Sequence, residues 1–131
     1  MIKVIFDSNF FFVPTQFKLD VFEELANLLG QRLDSVLLST TLEELLEIAE
    51  KGPPKTRRQA SLALKLAQEC LLVQVEKTFK ETNDDVIVRV ATKWRCPVAT
   101  NDRDLKKRLR SVGIPVIFLR QRSRLDVEGA L

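Results

Sequence analysis

Ile2-Lys3-Val4-Ile5-Phe6-Asp7 is a short apolar run that ends on an acid. Similar runs recur at Ser35 to Leu38, Leu71 to Val75, Val98 to Ala99 and Val116 to Leu119. Runs this brief, with little polar alternation, are the pattern of strands buried on both faces. Between them lie helical patterns at Phe17 to Leu29, Leu42 to Glu50, Arg57 to Glu69, Asp84 to Trp94, and Leu105 to Val112. Gly30, Gly52 with Pro53 and Pro54, and Gly113 supply stop signals just past three of these. Strands that alternate with helices need crossover connections, so the expected fold is α/β, a central, largely parallel sheet with helices on both faces. The chain is expected to form one domain over residues 1–131, with a basic tail from about residue 120.

Length and composition agree, because 131 residues that are 45% hydrophobic and 30% charged suit one core and exclude a fibrous or disordered chain. No apolar run approaches the roughly 20 residues that cross a bilayer, so a soluble, cytoplasmic protein with no membrane partner is expected. The sequence has no histidine. That removes Ser-His-Asp and Cys-His devices and imidazole zinc sites, leaving carboxylates, hydroxyls, lysine or bound metal for any catalysis. Cys70 and Cys96 show no CxxC spacing and read as small apolar thiols in a reducing compartment.

Charge is unevenly distributed. Arg103, Lys106, Lys107, Arg108, Arg110, Arg120, Arg122 and Arg124 face one acid, Asp104, within the same segment, while the rest of the chain is net acidic. A polyanion held beside a carboxylate site would use such a division. The expected contacts for it are Arg103, Lys106, Lys107, Arg120, Arg122 and Arg124.

Asp7 and Asp102 each follow an apolar run, and ligands of open parallel sheets bind off the carboxyl ends of strands where strand order reverses. The two acids share a crevice only if their strands are neighbours. On the helix after Thr82, the apolar residues centre about 90° from Asp84 and about 170° from Asp85, so Asp84 borders the buried face. Both acids could also serve the helix start, with Thr82 or Asn83 as cap. Glu43 and Glu44 lie about 110° and 150° from their helix's apolar centre, and periodicity does not choose between them. Carboxylates that converge without compensating cations repel unless protonated or bridged by a metal ion. Hard oxygen donors suit Mg²⁺ or Mn²⁺, which activate water and orient a phosphodiester. Acids beside a basic flank therefore read as phosphodiester hydrolysis. A haloacid-dehalogenase phosphatase would need Asp where Asn9 stands, and a receiver domain would need a lysine where Leu119 is followed by Arg120.

Four motifs in register, Asp7-Ser8-Asn9, Glu44-Leu45, Asp84-Asp85-Val86-Ile87 with Ala91, and Thr100-Asn101-Asp102-Arg103-Asp104-Leu105, resemble the PIN-domain ribonucleases over essentially the whole chain. That resemblance implies a PIN-like fold and divalent-metal-dependent endonucleolytic cleavage of RNA. It assigns catalysis and metal binding to Asp7, Glu44, Asp84 and Asp102, with Asn9 and Thr100 as polar support; a one-residue shift to Glu43 stays open. Asp104 either supports the metal site or caps the helix containing Leu105. The basic run after Asp102, then Gly113-Ile114-Pro115-Val116, is similar to the PIN nucleases of the small-subunit processome, and Val21-Phe22-Glu23-Glu24-Leu25 to their archaeal members. The implied substrate is a single-stranded or looped ribosomal RNA precursor, and the implied protein partners are a second copy of the chain or a ribosome-assembly protein. Compact PIN toxins, and an RNA-binding assembly factor that keeps the metal site without turnover, are the alternatives. Phe10, Phe11, Phe12 and Phe17 follow Asp7 and either stack on unpaired bases or pack on the core.

Overall fold

Alternation along β1 (Ile2–Phe6) divides the molecule into two cores. In the computed structural model, which describes residues 2–17 and 19–131, Val4 and Phe6 point to one face of the sheet and Ile5 to the other, all essentially without solvent contact. Successive strand residues face opposite ways, and burial on both sides is why this run contains little polar alternation.

A 3₁₀ turn (Ser8–Phe12) and the short α1 (Val13–Gln16) follow, then α2 (Val21–Leu29), β2 (Leu33–Leu38), α3 (Ser39–Lys51), α4 (Pro54–Ala67) and β3 (Leu71–Val73). After β3 come α5 (Asn83–Trp94), β4 (Val98–Ala99), α6 (Arg103–Ser111), β5 (Val116–Arg120) and β6 (Arg124–Glu128). The sheet order is β3-β2-β1-β4-β5-β6, parallel throughout except for the antiparallel β5–β6 pair. Phe10, Phe11, Leu25, Leu45 and Ala63 pack with Val4 and Phe6 on one face; Val86, Ile87, Leu105 and Leu109 pack with Ile5 on the other. The architecture is a single-domain α/β sandwich, a mostly parallel sheet with helices packed on both faces.

Several element ends move: α3 starts at Ser39 rather than Leu42, and β3 stops at Val73 rather than Val75. The helix read from Phe17 begins at Val21, where the Asp20 side chain accepts from the Glu23 amide at 3.1 Å, and Phe17 is extended; Lys18 lies outside the described residues. The helix read from Arg57 begins at Pro54, because proline at the first helical position forfeits no intrahelical hydrogen bond. The expected basic tail is instead a hairpin: β6 pairs with β5 from Val116↔Glu128 to Arg120↔Arg124 and buries Leu125. Its sequence carries the period-two pattern of Leu125 and Val127 between polar residues. Its turn carries no hairpin signal, since Gln121 and Arg122 adopt φ of 53° and 60° where glycine or asparagine is usual. No described helix is long and apolar enough to cross a membrane.

Candidate active site

The order of the sheet reverses at β1, which lies between β2 and β4 with Ile5↔Val98 and Phe6↔Ala99 in register. Asp7 and the Thr100–Asp102 turn thus leave the carboxyl ends of neighbouring strands, where such sheets bind ligands. The Asp7 amide donates to the Ala99 carbonyl at 2.9 Å, and the Thr100 amide to that of Ile117 at 2.9 Å, which continues the ladder up to the site.

Asp7 is 5% exposed and is held at both oxygens. Its Oδ1 accepts from the Ser8 amide at 2.8 Å and its Oδ2 from the Thr100 hydroxyl at 2.7 Å. Thr100, fully buried, accepts in turn from the Asp102 amide at 3.1 Å and the Asn9 amide side chain at 3.4 Å. Asn9 Oδ1 then accepts from the Asn101 amide at 3.1 Å, and Asn101 Oδ1 from the Leu119 amide at 2.8 Å. One hydrogen-bonded mesh therefore joins the ends of β1, β4 and β5. Asp102 caps α6 by accepting from the Leu105 amide at 3.0 Å. Asp104, expected either to support the site or to cap this helix, is exposed in its first turn; the cap belongs to Asp102.

The other acids arrive on helices. Thr82 caps α5 in a reciprocal box with Asp85, whose second oxygen pairs with Arg108 at 2.8 Å. These contacts occupy Asp85 and hold its carboxyl below the usual range, through the Thr82 amide first and Arg108 next. With Thr82 as cap, Asn83 is available to donate to Glu44 Oε2 at 3.1 Å, and its carbonyl accepts from Lys77 at 3.2 Å. The hydroxyl of Ser39, the first residue of α3, ties the helix to the segment after β3: it accepts from the Val75 amide at 3.0 Å and donates to the Val75 carbonyl at 3.3 Å. Glu44 is partly buried and Glu43 exposed.

Electrostatics ties Asp7, Glu44, Asp84 and Asp102 together. Burial pushes the Asp7 carboxyl up to about 6; the Thr100 and Ser8 hydrogen bonds offset part of this, and the charges of Asp84 and Glu44 add to it. Asp84 is raised by its own burial and then by Asp102 and Glu44, with Arg108 a partial counterweight. Among the described residues no three acids are drawn tightly enough to hold a metal ion as they stand. The donor set still fits a hard divalent cation: it is all oxygen, it includes a buried carboxyl whose ionisation burial makes harder, and its members repel.

Of the expected cationic contacts, Arg103, Lys106 and Arg120 line one recess with Thr100 and Asp102, whereas Lys107, Arg122 and Arg124 are exposed outside it. Phe10 and Phe11 are buried, and Phe12 and Phe17 pack against the same core, which decides that alternative for packing. Sequence reasoning missed Asn83, Asn101 and Ser39 as positioning residues. Their only local signal is a polar side chain beside an acid or at a helix start.

A family profile described as "PIN like domain" matches residues 4–122. The chain belongs to the PIN-like domain family. As a PIN domain it is 26% identical to "Ribonuclease VapC4" of Methanocaldococcus jannaschii over 98% of both chains. It is 32% identical to "rRNA-processing protein FCF1" of Saccharomyces cerevisiae, covering 88% of this chain and 58% of the yeast protein, little more than half its length. The solved "PIN domain endonuclease Utp24" superposes with a TM-score of 0.81 at 28% identity, over 98% of this chain and 92% of that one.

Proposed function

We propose that this PIN domain is a divalent-metal-dependent endoribonuclease acting in ribosomal RNA processing, with Mg²⁺ or Mn²⁺ as cofactor. What supports the reading is that acids from four elements act on one another: the charges of Asp84 and Glu44 add to the burial that raises the Asp7 carboxyl to about 6, and those of Asp102 and Glu44 add to the burial that raises Asp84. Those four residues would hold the ion, which when bound supplies the Lewis acidity that activates water and offsets charge on the phosphodiester. Thr100 and the Ser8 amide fix the direction of both Asp7 oxygens, and Asn9 in turn holds Thr100. Asn83 holds Glu44 by donating to its Oε2. Arg103, Lys106 and Arg120 draw the RNA backbone to the rim by charge. The FCF1 relative, an rRNA-processing protein, supports RNA processing, the Utp24 relative, an endonuclease, supports internal cleavage, and the two free cysteines fit a reducing cytoplasm.

A toxin-type ribonuclease is the second reading, favoured by end-to-end correspondence with VapC4. Cleavage of labelled pre-ribosomal and unrelated single-stranded RNAs, with Mn²⁺ or Mg²⁺, separates the readings. Cutting that is abolished by chelator and by Asp7→Asn supports the metallonuclease, and one discrete cut in the precursor supports rRNA processing over a toxin. RNA binding without cleavage would replace both with an assembly factor.

A further inference from the structure

Phe118 is not absorbed by the acidic site, yet it stands beside it. The recess it lines has a volume of about 330 Å³, with Thr100 and Asp102 on one wall and Arg103, Lys106, Phe118 and Arg120 on the others. The Lys106 ammonium lies 4.4 Å from the Phe118 ring centroid and the Arg120 guanidinium 5.1 Å from it. Both cations are tethered from the neighbouring strand, Lys106 by Glu128 at 3.8 Å and Arg120 by Asp126. The ring is itself well placed: it is paired with Asp126 in the β5–β6 hairpin, and the next amide, Leu119, donates to Asn101 in the turn that carries Asp102. Most rings of this chain that follow Asp7 are spent on the core, whereas Phe118 is only partly buried, among cations and next to a candidate catalytic acid.

We propose that this recess is a nucleobase-stacking subsite, in which Phe118 stacks on the base of a single-stranded nucleotide flanking the scissile phosphodiester while Lys106 and Arg120 transfer from Glu128 and Asp126 to its phosphates. The inference rests on the ribonuclease reading and deepens it by naming where the strand is gripped. An aromatic face is open to any unpaired base but not to a paired one, so the subsite selects single-stranded or looped RNA. Cations around the ring add attraction to both base and backbone.

The test measures binding, apart from cleavage, with the full chain carrying Asp7→Asn and a fluorescent single-stranded RNA in Mg²⁺. Adding Phe118→Leu, which keeps an apolar side chain of similar bulk, is expected to weaken binding about tenfold at an unchanged salt slope. Phe118→Trp is expected to retain affinity, whereas Arg120→Gln weakens binding and lowers the slope. An abasic nucleotide walked along the RNA should cost affinity at one position, and that loss should vanish in the Phe118→Leu background. Thermal melts confirm that each variant is folded. Equal affinity of the Phe118→Leu and parent proteins, or abasic losses that stay the same in both, would overturn the subsite while leaving the ribonuclease reading intact. Failure of the parent to bind RNA at all would overturn both.

Discussion

Asp7 and Asp102 sit in a mesh of hydrogen bonds that joins β1, β4 and β5, whereas Glu44 and Asp84 are held by the helices that carry them and by few contacts of their own. Both halves bear acids, and the charges of those acids act on one another. In the sheet half the side-chain bonds continue a backbone ladder, so both Asp7 oxygens and Oδ1 of Asp102 have a defined direction before any ligand arrives. In the helix half, Asn83 bonds Glu44, and Asp84 is raised first by its own burial and then by the charges of Asp102 and Glu44. The difference teaches that the sheet side sets direction and the helix side adds charge that raises its neighbours.

The sharpest way to break this comparison is Asp7→Asn. Cleavage is expected to fall roughly 10³-fold or more. The metal-free protein should meanwhile gain stability at neutral pH. The folded-state carboxyl, raised from 3.8 to about 6, contributes stability below about pH 4 that is lost as pH rises through about 6. Asparagine is spared that loss, worth about 1–3 kcal/mol at pH 7. Denaturant melts in chelator at pH 4 and pH 7 should show the two proteins diverging only at the higher pH. A variant less stable than wild type at pH 7 would mean that the buried carboxylate is not strained.

Next in size, Glu44→Gln should lower cleavage by about 10²-fold, with Glu43→Gln changing it less than about twofold. Paired single-turnover assays check this, and equal effects would return the one-residue ambiguity. Mn²⁺ should raise the thermal midpoint of wild type more than that of Asp84→Asn, because the cation relieves repulsion that the variant has already lost. Thr100→Val is expected to cost about 10-fold in cleavage and about 1–3 kcal/mol in stability, since it strips a buried carboxylate of a donor. Smallest is Asn83→Ala, with a few-fold loss of activity and little change in melting. A larger effect there than at Thr100 would reverse the ranking of the two halves.

Much of this was readable along the chain. Residues 2–6 and 98–99 are strands because their apolar runs are short and buried on two faces, and α5 and α6 have the expected apolar stripes. The β5–β6 hairpin was hidden by a turn made of Gln121 and Arg122, whose positive φ is carried without glycine. Thr82 and Asn83 were interchangeable as caps until the reciprocal bonds with Asp85 singled out Thr82, and that choice released Asn83 to reach Glu44.

By itself the sequence determined an alternating α/β chain without histidine, with acids at strand ends and cations gathered beside one of them. Such features are local: periodicity and composition report which side of an element is buried and which chemistry is available. Tertiary structure alone decided that β1 neighbours β4, that Glu44 is partly buried while Glu43 is exposed, that the charges of Asp84 and Glu44 reach Asp7, and that Phe118 lines the recess with Asp102. The bonds from Thr100 to Asp7 and from Asn9 to Thr100 span 93 and 91 residues. Contacts at that separation depend on strand order and register, which are set by packing the whole sheet between its helices rather than by any short stretch of chain.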